Sequence, residues 1–343
     1  MAKGLDLTQA RFLVTGGAGF IGSNFVHHLR QRFPKAAVTV LDKLTYAGNL
    51  ANLDSVRNDP GYRFVKGDIC DDAAVADAMA GCGVVVNFAA ETHVDRSIES
   101  AKDFILTDTV GVYVLLEEAR RVGAKRFVQI STDEVYGEIL DGEADEEAPL
   151  LARNPYSASK IGGDRLAYAY FATYGTPTLV TRCSNNYGPY QFPEKLIPLF
   201  VTNALEGKPL PVYGTGTNVR DWIHVEDHCR AIVALLEADD VEGGTYNVAG
   251  GNERSVLQIA GAILDHLRKP ASLLQHVKDR PGHDRRYAID ASRLERATGF
   301  RPSRAFDQGI ADTIDWYVSH RDWWEPIKSG EFRHYYERTY GSR

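Results

Sequence analysis

A glycine-rich turn between a short apolar strand and a helical segment constrains the fold of this chain most strongly. Arg11–Thr15 is predicted to be a buried strand, and the next seven residues, 16–22, include four glycines. A helix is expected from there to about residue 32. Glycines at this spacing permit a tight turn and let backbone N–H groups at a helix start approach a pyrophosphate. The order of strand, glycine-rich turn and helix therefore predicts a dinucleotide-binding unit.

Predicted strands and helices alternate through the first half of the chain. Further strands are expected at residues 38–42, 62–65, 84–89, 126–130 and 178–181, with long helices at 97–122 and 156–174. Such alternation is typical of a parallel sheet covered on both faces, with right-handed crossovers. We predict an α/β fold, in which a Rossmann-type doubly wound parallel sheet is followed by a smaller mixed α/β C-terminal domain that binds the substrate.

The composition of the sequence changes after residue 184. Proline and glycine become frequent, and helices near 226–236 and 256–267 are separated by irregular stretches. Long loops in a compact protein are usually functional. We therefore predict a dinucleotide-binding domain at residues 1–184, with a contribution from about 221–248, and a substrate-binding cap domain at 185–343.

Composition excludes several classes of function. The chain has 39 basic and 46 acidic residues and a net charge of −7, which argues against a nucleic-acid partner. It contains no run of eighteen apolar residues and no visible signal peptide, so neither a membrane span nor secretion is expected. The four cysteines are scattered without a C-x-x-C pair. We expect reduced thiols in a cytoplasmic protein and no metal site.

Two aspartates after predicted strands favour NAD as the dinucleotide. Asp42 lies twenty positions after Gly22, at the end of the second predicted strand. A carboxylate at this place can accept hydrogen bonds from the adenosine ribose, and it would repel the 2′-phosphate of NADP. Asp68, at the end of the third predicted strand, is expected to meet the adenine.

Tyr156 and Lys160 are the candidate groups for proton transfer. Positions four apart lie on one face of a helix, so the lysine ammonium should lie beside the phenol and lower its pKa. The ordinary pKa of tyrosine, near 10, is too high for a base at neutral pH. Asn154 and Pro155 supply a helix start just before the pair. We predict that Tyr156 takes a hydroxyl proton while a hydride leaves the same carbon.

Thr132, Asp133 and Glu134 follow the fifth predicted strand. The carboxyl ends of parallel strands form the crevice in which such folds bind ligands. Two neighbouring carboxylates in one pocket cannot both ionise easily, because repulsion and burial raise the pKa of one of them. One carboxyl could then act as an acid and the other as a base. A dehydrogenase needs neither, whereas an enzyme that eliminates water needs both.

These motifs together resemble those of the extended short-chain dehydrogenase/reductase superfamily. The resemblance covers nearly the whole chain and rests first on residues 16–22, 87–90 and 156–160. Within that superfamily the chain is similar to the dTDP-glucose 4,6-dehydratase family. The specific motifs are found at residues 42–49, 91–97, 131–137 and 279–287.

The resemblance implies a set of residues for each ligand. Contacts with NAD are expected from Gly16, Gly19, Phe20, Ile21, Gly22, Asp42, Lys43, Leu44, Thr45, Asp68, Ile69, Ala89, Ala90, Thr92, Thr107, Tyr156, Lys160 and Asn186. Contacts with the nucleotide sugar, dTDP-glucose, are expected from His93, Thr132, Asn185, Lys195, Leu196, Pro211, Val212, Tyr213, Arg220, Asn252, Arg280, His283 and Tyr340. Arginine suits this role because its guanidinium donates to two phosphate oxygens at once.

The resemblance also implies a hydro-lyase reaction in three steps. Tyr156 takes the 4-hydroxyl proton as hydride leaves carbon 4 for NAD, and Thr132 shares a hydrogen bond with that hydroxyl. Glu134 then removes the proton from carbon 5, and Asp133 protonates the departing 6-hydroxyl. Hydride returns to carbon 6, which gives the 4-keto-6-deoxy sugar nucleotide used in deoxysugar synthesis. The five catalytic residues are thus Thr132, Asp133, Glu134, Tyr156 and Lys160.

Two features qualify or extend the resemblance. The family generally has Asn where Asp108 stands and Thr where Val112 stands, which affects the local hydrogen bonds of that helix.

The predicted helices 97–122 and 156–174 carry apolar residues on more than one face. A helix that is apolar all round must be covered on both sides. We therefore expect a homodimer that joins these helices in a four-helix bundle.

Three alternative functions stay open at this point. A sugar-nucleotide 4-epimerase uses the same tyrosine and lysine but has no use for Asp133 and Glu134. A 4,6-dehydratase of UDP- or GDP-sugars shares the chemistry, because the choice of base depends on fine contacts in the cap. A non-enzymatic dinucleotide sensor would be expected to lack Tyr156.

Overall fold

The computed structural model describes residues 3–329 of the chain. Its strands, in chain order, are β1 (Arg11–Thr15), β2 (Ala37–Asp42), β3 (Tyr62–Lys66), β4 (Val84–Asn87), β5 (Arg126–Thr132), β6 (Thr178–Cys183), β7 (Asn185–Tyr187), β8 (Leu210–Tyr213), β9 (Val219–His224), β10 (Thr245–Val248), β11 (Glu253–Ser255) and β12 (Leu274–Val277).

The helices surround these strands. They are α1 (Phe20–Arg32), α2 (Asp72–Met79), α3 (Val94–Glu99), α4 (Lys102–Ile105), α5 (Val112–Val122), α6 (Pro155–Tyr174), α7 (Leu196–Glu206), α8 (Val225–Glu237), α9 (Val256–His266), α10 (Ser292–Thr298), α11 (Phe306–Ser319) and α12 (Arg321–Ser329). A π-helical segment, Leu106–Gly111, joins α4 to α5, and 3-10 turns occupy Leu50–Leu53, Asp133–Tyr136 and Ala271–Leu273.

The main sheet has seven strands in the order β10-β6-β5-β4-β1-β2-β3, and all of its pairs are parallel. Every residue of β4, β5 and β6 is buried, as expected for strands that helices cover on both faces. The predicted fold class, a doubly wound parallel sheet with a smaller C-terminal part, is confirmed.

The second half of the chain contributes to both parts of the molecule. β10 pairs with β6 at the edge of the main sheet, and it lies within the stretch 221–248. Strands β7, β9 and β11 form a second sheet, and β8 pairs with β12. These strands and helices α7, α9 and α11 enclose a second apolar core, which includes Tyr187, Phe200, Trp222 and Ile259. We call this part the cap; the domain boundaries given above stay a prediction.

The prediction of one continuous helix over residues 97–122 is wrong. Ser100 has extended backbone angles, φ −154° and ψ 111°, and it ends α3 after only six residues. Leu106–Gly111 then winds as a π-helix before α5 begins. A single turn of π-helix inside a longer helix is often found at functional sites.

The start of α6 is as the sequence predicts. Asn154 caps the helix, because its side chain accepts a hydrogen bond of 2.8 Å from the backbone N–H of Ser157, and Pro155 occupies the first turn. Gly175 ends the helix in the left-handed conformation, with φ 67°. These two signals fix Tyr156 and Lys160 on the first turns of α6.

None of the helices within residues 3–329 has both the length and the apolar character needed to cross a membrane.

Candidate active site

A cleft of about 300 Å³ opens at the carboxyl ends of the main-sheet strands. Among the predicted site residues, it is lined by Gly16, Gly19, Phe20, Ile21, Gly22, Asp42, Lys43, Thr45, Asp68, Ile69, Ala89, Ala90, Thr92, Thr107, Thr132, Asp133, Glu134, Tyr156, Lys160, Asn185, Asn186 and Lys195. Each of β1 to β6 thus contributes residues from its last position or from the loop after it. The topology itself brings these residues together, as the rule for ligand sites in parallel sheets requires.

The glycine-rich turn between β1 and α1 fits a pyrophosphate. Gly16 has φ +66°, and a Cβ there would lie 2.6 Å from the backbone nitrogen of Ala89, so only glycine fits. A Cβ on Gly22 would collide with the carbonyl of Gly16. Within α1, Gly19 caps the N-terminus without a side-chain hydrogen bond, and no acidic residue occupies the first turn. The helix start can therefore receive an anionic ligand.

The adenosine end of the cleft contains two carboxylates held by neighbours. Asp42 is buried and accepts hydrogen bonds from the backbone N–H groups of Ala18, at 2.9 Å, and Leu44, at 2.8 Å. It therefore fixes the glycine-rich turn as well as facing the predicted ribose position. Asp68 forms an ion pair of 2.6 Å with the Lys43 ammonium. These residues line the cleft at the end where the sequence predicts the adenosine half of NAD, and their contact with it stays a prediction.

Tyr156 and Lys160 lie together in the centre of the cleft and are both buried. The Lys160 ammonium donates a hydrogen bond of 2.7 Å to the Ile130 carbonyl of β5, which anchors α6 to the sheet. Thr132 shares a side-chain hydrogen bond with Tyr156. Tyr156 is therefore hydrogen-bonded to Thr132, while Lys160 holds the same helix against β5.

The predicted lowering of the Tyr156 pKa is not produced by the protein's own groups. Burial raises the pKa of Tyr156 well above its ordinary value, and the charges of Glu134 and Asp108 raise it further. The ammonium of Lys160 does not outweigh these effects. Spacing along the helix correctly placed the two residues, but it could not reveal the carboxylates that face them.

Asp133 and Glu134 have different environments. Asp133 is buried, and its Oδ2 has no hydrogen-bond partner within residues 3–329, whereas Glu134 is half-buried. Burial, and then the charge of Glu134, raise the pKa of Asp133 to about 8. Thr132 donates a hydrogen bond of 3.2 Å to Asp133 Oδ1, and its hydroxyl accepts one of 3.3 Å from the Glu134 N–H. The two carboxyl groups are thus held beside the hydroxyl that contacts Tyr156.

Basic residues from the cap meet these carboxyl groups. Lys195 and Arg280 both interact electrostatically with Glu134, and Arg220 interacts with Asp133. Arg280 also forms an ion pair of 3.4 Å with Asp95. Burial and three neighbouring cations lower the pKa of His93 well below its usual range, so this imidazole is neutral. The cap therefore supplies the positive charge that an anionic substrate needs.

Ten of the predicted residues lie outside the lining of the cleft: Leu44, His93, Leu196, Pro211, Val212, Tyr213, Arg220, Asn252, Arg280 and His283. Tyr213 and His283 pack edge to face, with ring centroids 6.2 Å apart, and Tyr213 donates a hydrogen bond of 3.0 Å to Asp95. The Val212 side chain is fully buried in the second core, so any substrate contact there uses its main chain. Tyr340 lies outside the described residues.

The structure also adds cleft residues that the sequence did not single out. Glu91, Cys183 and Glu194 line the cleft. Burial and the charge of Asp108 raise the pKa of Glu91 to about 7. Glu91 belongs to the motif at 91–97, which was a usable signal. No comparable signal marked Glu194, whose carboxylate pairs with Arg96 at 3.1 Å.

Comparison with known proteins agrees with this geometry. Residues 13–313 match the family model described as GDP-mannose 4,6 dehydratase. A curated dTDP-glucose 4,6-dehydratase from Streptomyces niveus is 52% identical over 323 residues, which cover 93% of this chain and 96% of that protein. A crystal structure of a dTDP-glucose 4,6-dehydratase from Streptomyces venezuelae, with NAD bound, aligns with a TM-score of 0.90 and 50% identity, covering 93% of this chain and all of that one.

A more distant structural neighbour has a similar fold but a different named activity. The UDP-glucose 4-epimerase of Thermus thermophilus, solved with NAD, aligns with a TM-score of 0.83 and 31% identity over 90% of this chain and 99% of its own. A shared fold therefore does not by itself separate a dehydratase from an epimerase, and the carboxyl groups of Asp133 and Glu134 are the further feature of this cleft. With these carboxyl groups in the cleft and about half of all residues identical to dTDP-glucose 4,6-dehydratases over nearly the full length, the chain belongs to the dTDP-glucose 4,6-dehydratase family.

Proposed function

We propose that this protein is an NAD-dependent hydro-lyase that converts dTDP-glucose into dTDP-4-keto-6-deoxyglucose. The observation that carries the proposal is a buried carboxyl group, with a raised pKa, beside a second carboxyl group. Asp133, with its pKa raised to about 8, adjoins Glu134 in the cleft that also contains Tyr156 and Lys160. A carboxylic acid and a carboxylate side by side are what the elimination of water requires.

Tyr156 acts on the 4-hydroxyl of the glucose. Its phenol oxygen takes the hydroxyl proton, and Thr132, which is hydrogen-bonded to Tyr156, fixes the direction of that hydroxyl. Lys160 places a positive charge near the phenol and keeps α6 against β5 through its bond to Ile130. The cofactor site would hold NAD, whose nicotinamide would take up and return a hydride and whose positive charge would favour ionisation of the Tyr156 phenol, against the burial that raises its pKa.

Asp133 and Glu134 carry out the elimination. A ketone at carbon 4 acidifies the proton on carbon 5, and the Glu134 carboxylate removes that proton. Asp133 is mostly protonated at neutral pH, so it can donate its proton to the departing 6-hydroxyl, which leaves as water. Carbon 5 is reprotonated at the end of the cycle.

The cap binds the nucleotide diphosphate in this proposal. Arg220 and Arg280 carry the guanidinium groups suited to phosphate oxygens, and both interact with the catalytic carboxyl groups. The remaining predicted contacts of the cap, Tyr213 stacking on the pyrimidine among them, are proposals of the same kind. The curated relatives named dTDP-glucose 4,6-dehydratases favour a thymine base over the UDP- and GDP-linked alternatives.

We further propose a homodimer joined through a four-helix bundle. Large apolar side chains are exposed on α4, the π-helical segment, α5 and α6. They include Ile105 at 52% exposure, Tyr113 at 48% and Tyr174 at 56%. A second copy of the same helices would cover them. Sedimentation at micromolar concentration should give twice 38.0 kDa, and a monomer alone would contradict the dimer.

All four cysteines are free, which supports the cytoplasm as the compartment.

Incubation with dTDP-glucose tests the proposed activity. The product should be lighter than the substrate by the mass of one water, with no net accumulation of NADH. An unchanged mass, or dTDP-galactose as the product, would contradict the proposal. The same assay with UDP-glucose and GDP-mannose tests the choice of base, and faster turnover of either would replace thymine as the preferred base.

A further inference from the structure

Asp108 has a buried carboxyl group that contacts the first turns of α6. It lies in the π-helical segment Leu106–Gly111 and is only 1% exposed. Its Oδ2 accepts a hydrogen bond of 2.7 Å from the Ser159 hydroxyl, and its Oδ1 accepts one of 3.0 Å from the Glu91 N–H. Asp108 therefore joins the helix that carries Tyr156 and Lys160 to the loop that lines the cleft after β4.

The backbone around Asp108 fits closely against α6. A Cβ on Gly163 would collide with the carbonyl oxygen of Asp108, and one on Gly162 would collide with the side chain of Thr109. The Thr109 hydroxyl also donates a hydrogen bond of 3.2 Å to the Ser159 carbonyl. These contacts fix the position of the carboxyl group relative to the turn of α6 that carries Lys160.

The charge of Asp108 acts on groups of the reaction. Asp108 interacts electrostatically with Lys160 and Tyr156 of α6 and with Glu91 of the loop after β4, and Asp103 lies earlier on the same stretch of chain. Ionised Asp108 raises the pKa of Tyr156, as a negative charge must. Burial raises the pKa of Asp108 itself to about 6, against the opposing effects of Lys160, Ser159 and the Glu91 N–H. At neutral pH the charge is therefore mostly present.

We propose that Asp108 is a positioning residue for the proposed reaction: its carboxylate holds α6 through Ser159 and places a negative charge beside Tyr156 and Lys160, which makes Tyr156 a stronger base. This inference rests on the proposed role of Tyr156. When Asp108 is protonated it can donate to the Ser159 hydroxyl, which lies 2.8 Å from the Tyr156 carbonyl and can donate to it instead. The hydrogen bonds at the start of α6 therefore depend on the ionisation of Asp108.

The variant Asp108→Asn removes the charge and preserves the shape of the side chain. Its amide oxygen can still accept from Glu91 N–H, and its NH₂ can donate to Ser159. Without the negative charge, Tyr156 loses its proton more easily, so the acidic limb of kcat against pH should move to lower pH by about one unit. An acidic limb at the wild-type position in Asp108→Asn would overturn the proposal.

Two further variants test whether the shift comes from the local charge of Asp108. One controls for the net charge of the protein, and the other controls for the hydrogen bond between Asp108 and Ser159. Asp103→Asn removes the same charge from an exposed position of α4, and its acidic limb should stay at the wild-type pH. Ser159→Ala removes the hydroxyl that lowers the pKa of Asp108 but keeps the carboxyl group, so kcat should fall while the acidic limb moves less than in Asp108→Asn. An equal shift of the limb in Asp103→Asn would show a net-charge effect and contradict the role of Asp108.

An infrared titration tests Asp108 without any turnover. The difference between wild-type and Asp108→Asn spectra should contain a protonated-carboxyl band that disappears with a midpoint near pH 6. If the protein does not dehydrate dTDP-glucose, the proposed function fails while this band still tests the buried carboxyl group. The absence of such a band would overturn the ionisable role of Asp108.

Discussion

Two buried aspartates near Tyr156 differ in what surrounds them. Asp133 adjoins Glu134, a second carboxylate, and one of its oxygens has no hydrogen-bond partner within residues 3–329. Asp108 accepts two hydrogen bonds and interacts with the Lys160 ammonium. Burial raises the pKa of both, but to about 8 for Asp133 and only about 6 for Asp108. Neighbours, rather than depth, therefore decide which aspartate can give a proton at neutral pH and which one carries a fixed charge.

The largest effect is expected for Glu134→Gln. The amide cannot take the proton from carbon 5, so the elimination should slow by roughly 10² to 10⁴-fold. Oxidation at carbon 4 uses Tyr156 and should still produce an NADH absorbance in a single turnover. Glu138→Gln is the matched control, because Glu138 lies on the same loop and contacts Arg153 and the Arg285 N–H. Normal turnover of Glu134→Gln would show that the base is misassigned.

A smaller loss of activity is expected for Asp133→Asn. The elimination should slow by roughly 10²-fold, because the leaving hydroxyl loses its acid. In the wild type, Asp133 must be protonated to act, so the elimination rate should fall as pH rises through about 8. The asparagine variant should lack this basic limb. A limb near pH 8 that persists in the variant would assign it to a group other than Asp133.

The smallest of these effects concerns stability. The folded-state pKa of Asp133 is about 8, well above the ordinary value of 3.8. Its contribution to stability is therefore complete below about pH 4 and is lost as pH rises through about 8. Asp133→Asn should accordingly exceed the wild type in free energy of unfolding at pH 9, on the order of a few kcal/mol. Denaturation by urea at pH 5 and pH 9 measures this difference, and an advantage that does not grow with pH would contradict the assigned pKa.

The sequence could predict the parts of the site that local chemistry controls. The glycines of residues 16–22 and the cap formed by Asn154 and Pro155 read directly as turn and helix start, and the structure has both. The carboxyl ends of the strands bring the five predicted catalytic residues, and all predicted cofactor residues except Leu44, into one cleft.

The helix break and the raised pKa of Tyr156 depend on packing between segments that lie far apart in the sequence. The break at Ser100 and the π-helical segment at Leu106–Gly111 are not visible in a pattern that is helical throughout. The raised pKa of Tyr156 depends first on burial and then on the charges of Glu134 and Asp108, which lie 22 and 48 positions away along the chain. Propensity and spacing describe neighbours in sequence, whereas these effects arise between segments that only the fold brings together.

A deuterium label on the substrate shows whether the elimination takes place between two hydride transfers in a single site. The substrate is dTDP-glucose that carries deuterium on carbon 4, and the product is examined by mass spectrometry and NMR. The proposed reaction predicts a product that has lost one water and carries the deuterium on carbon 6. Deuterium that remains on carbon 4 with unchanged mass, or that is lost to solvent, would contradict it.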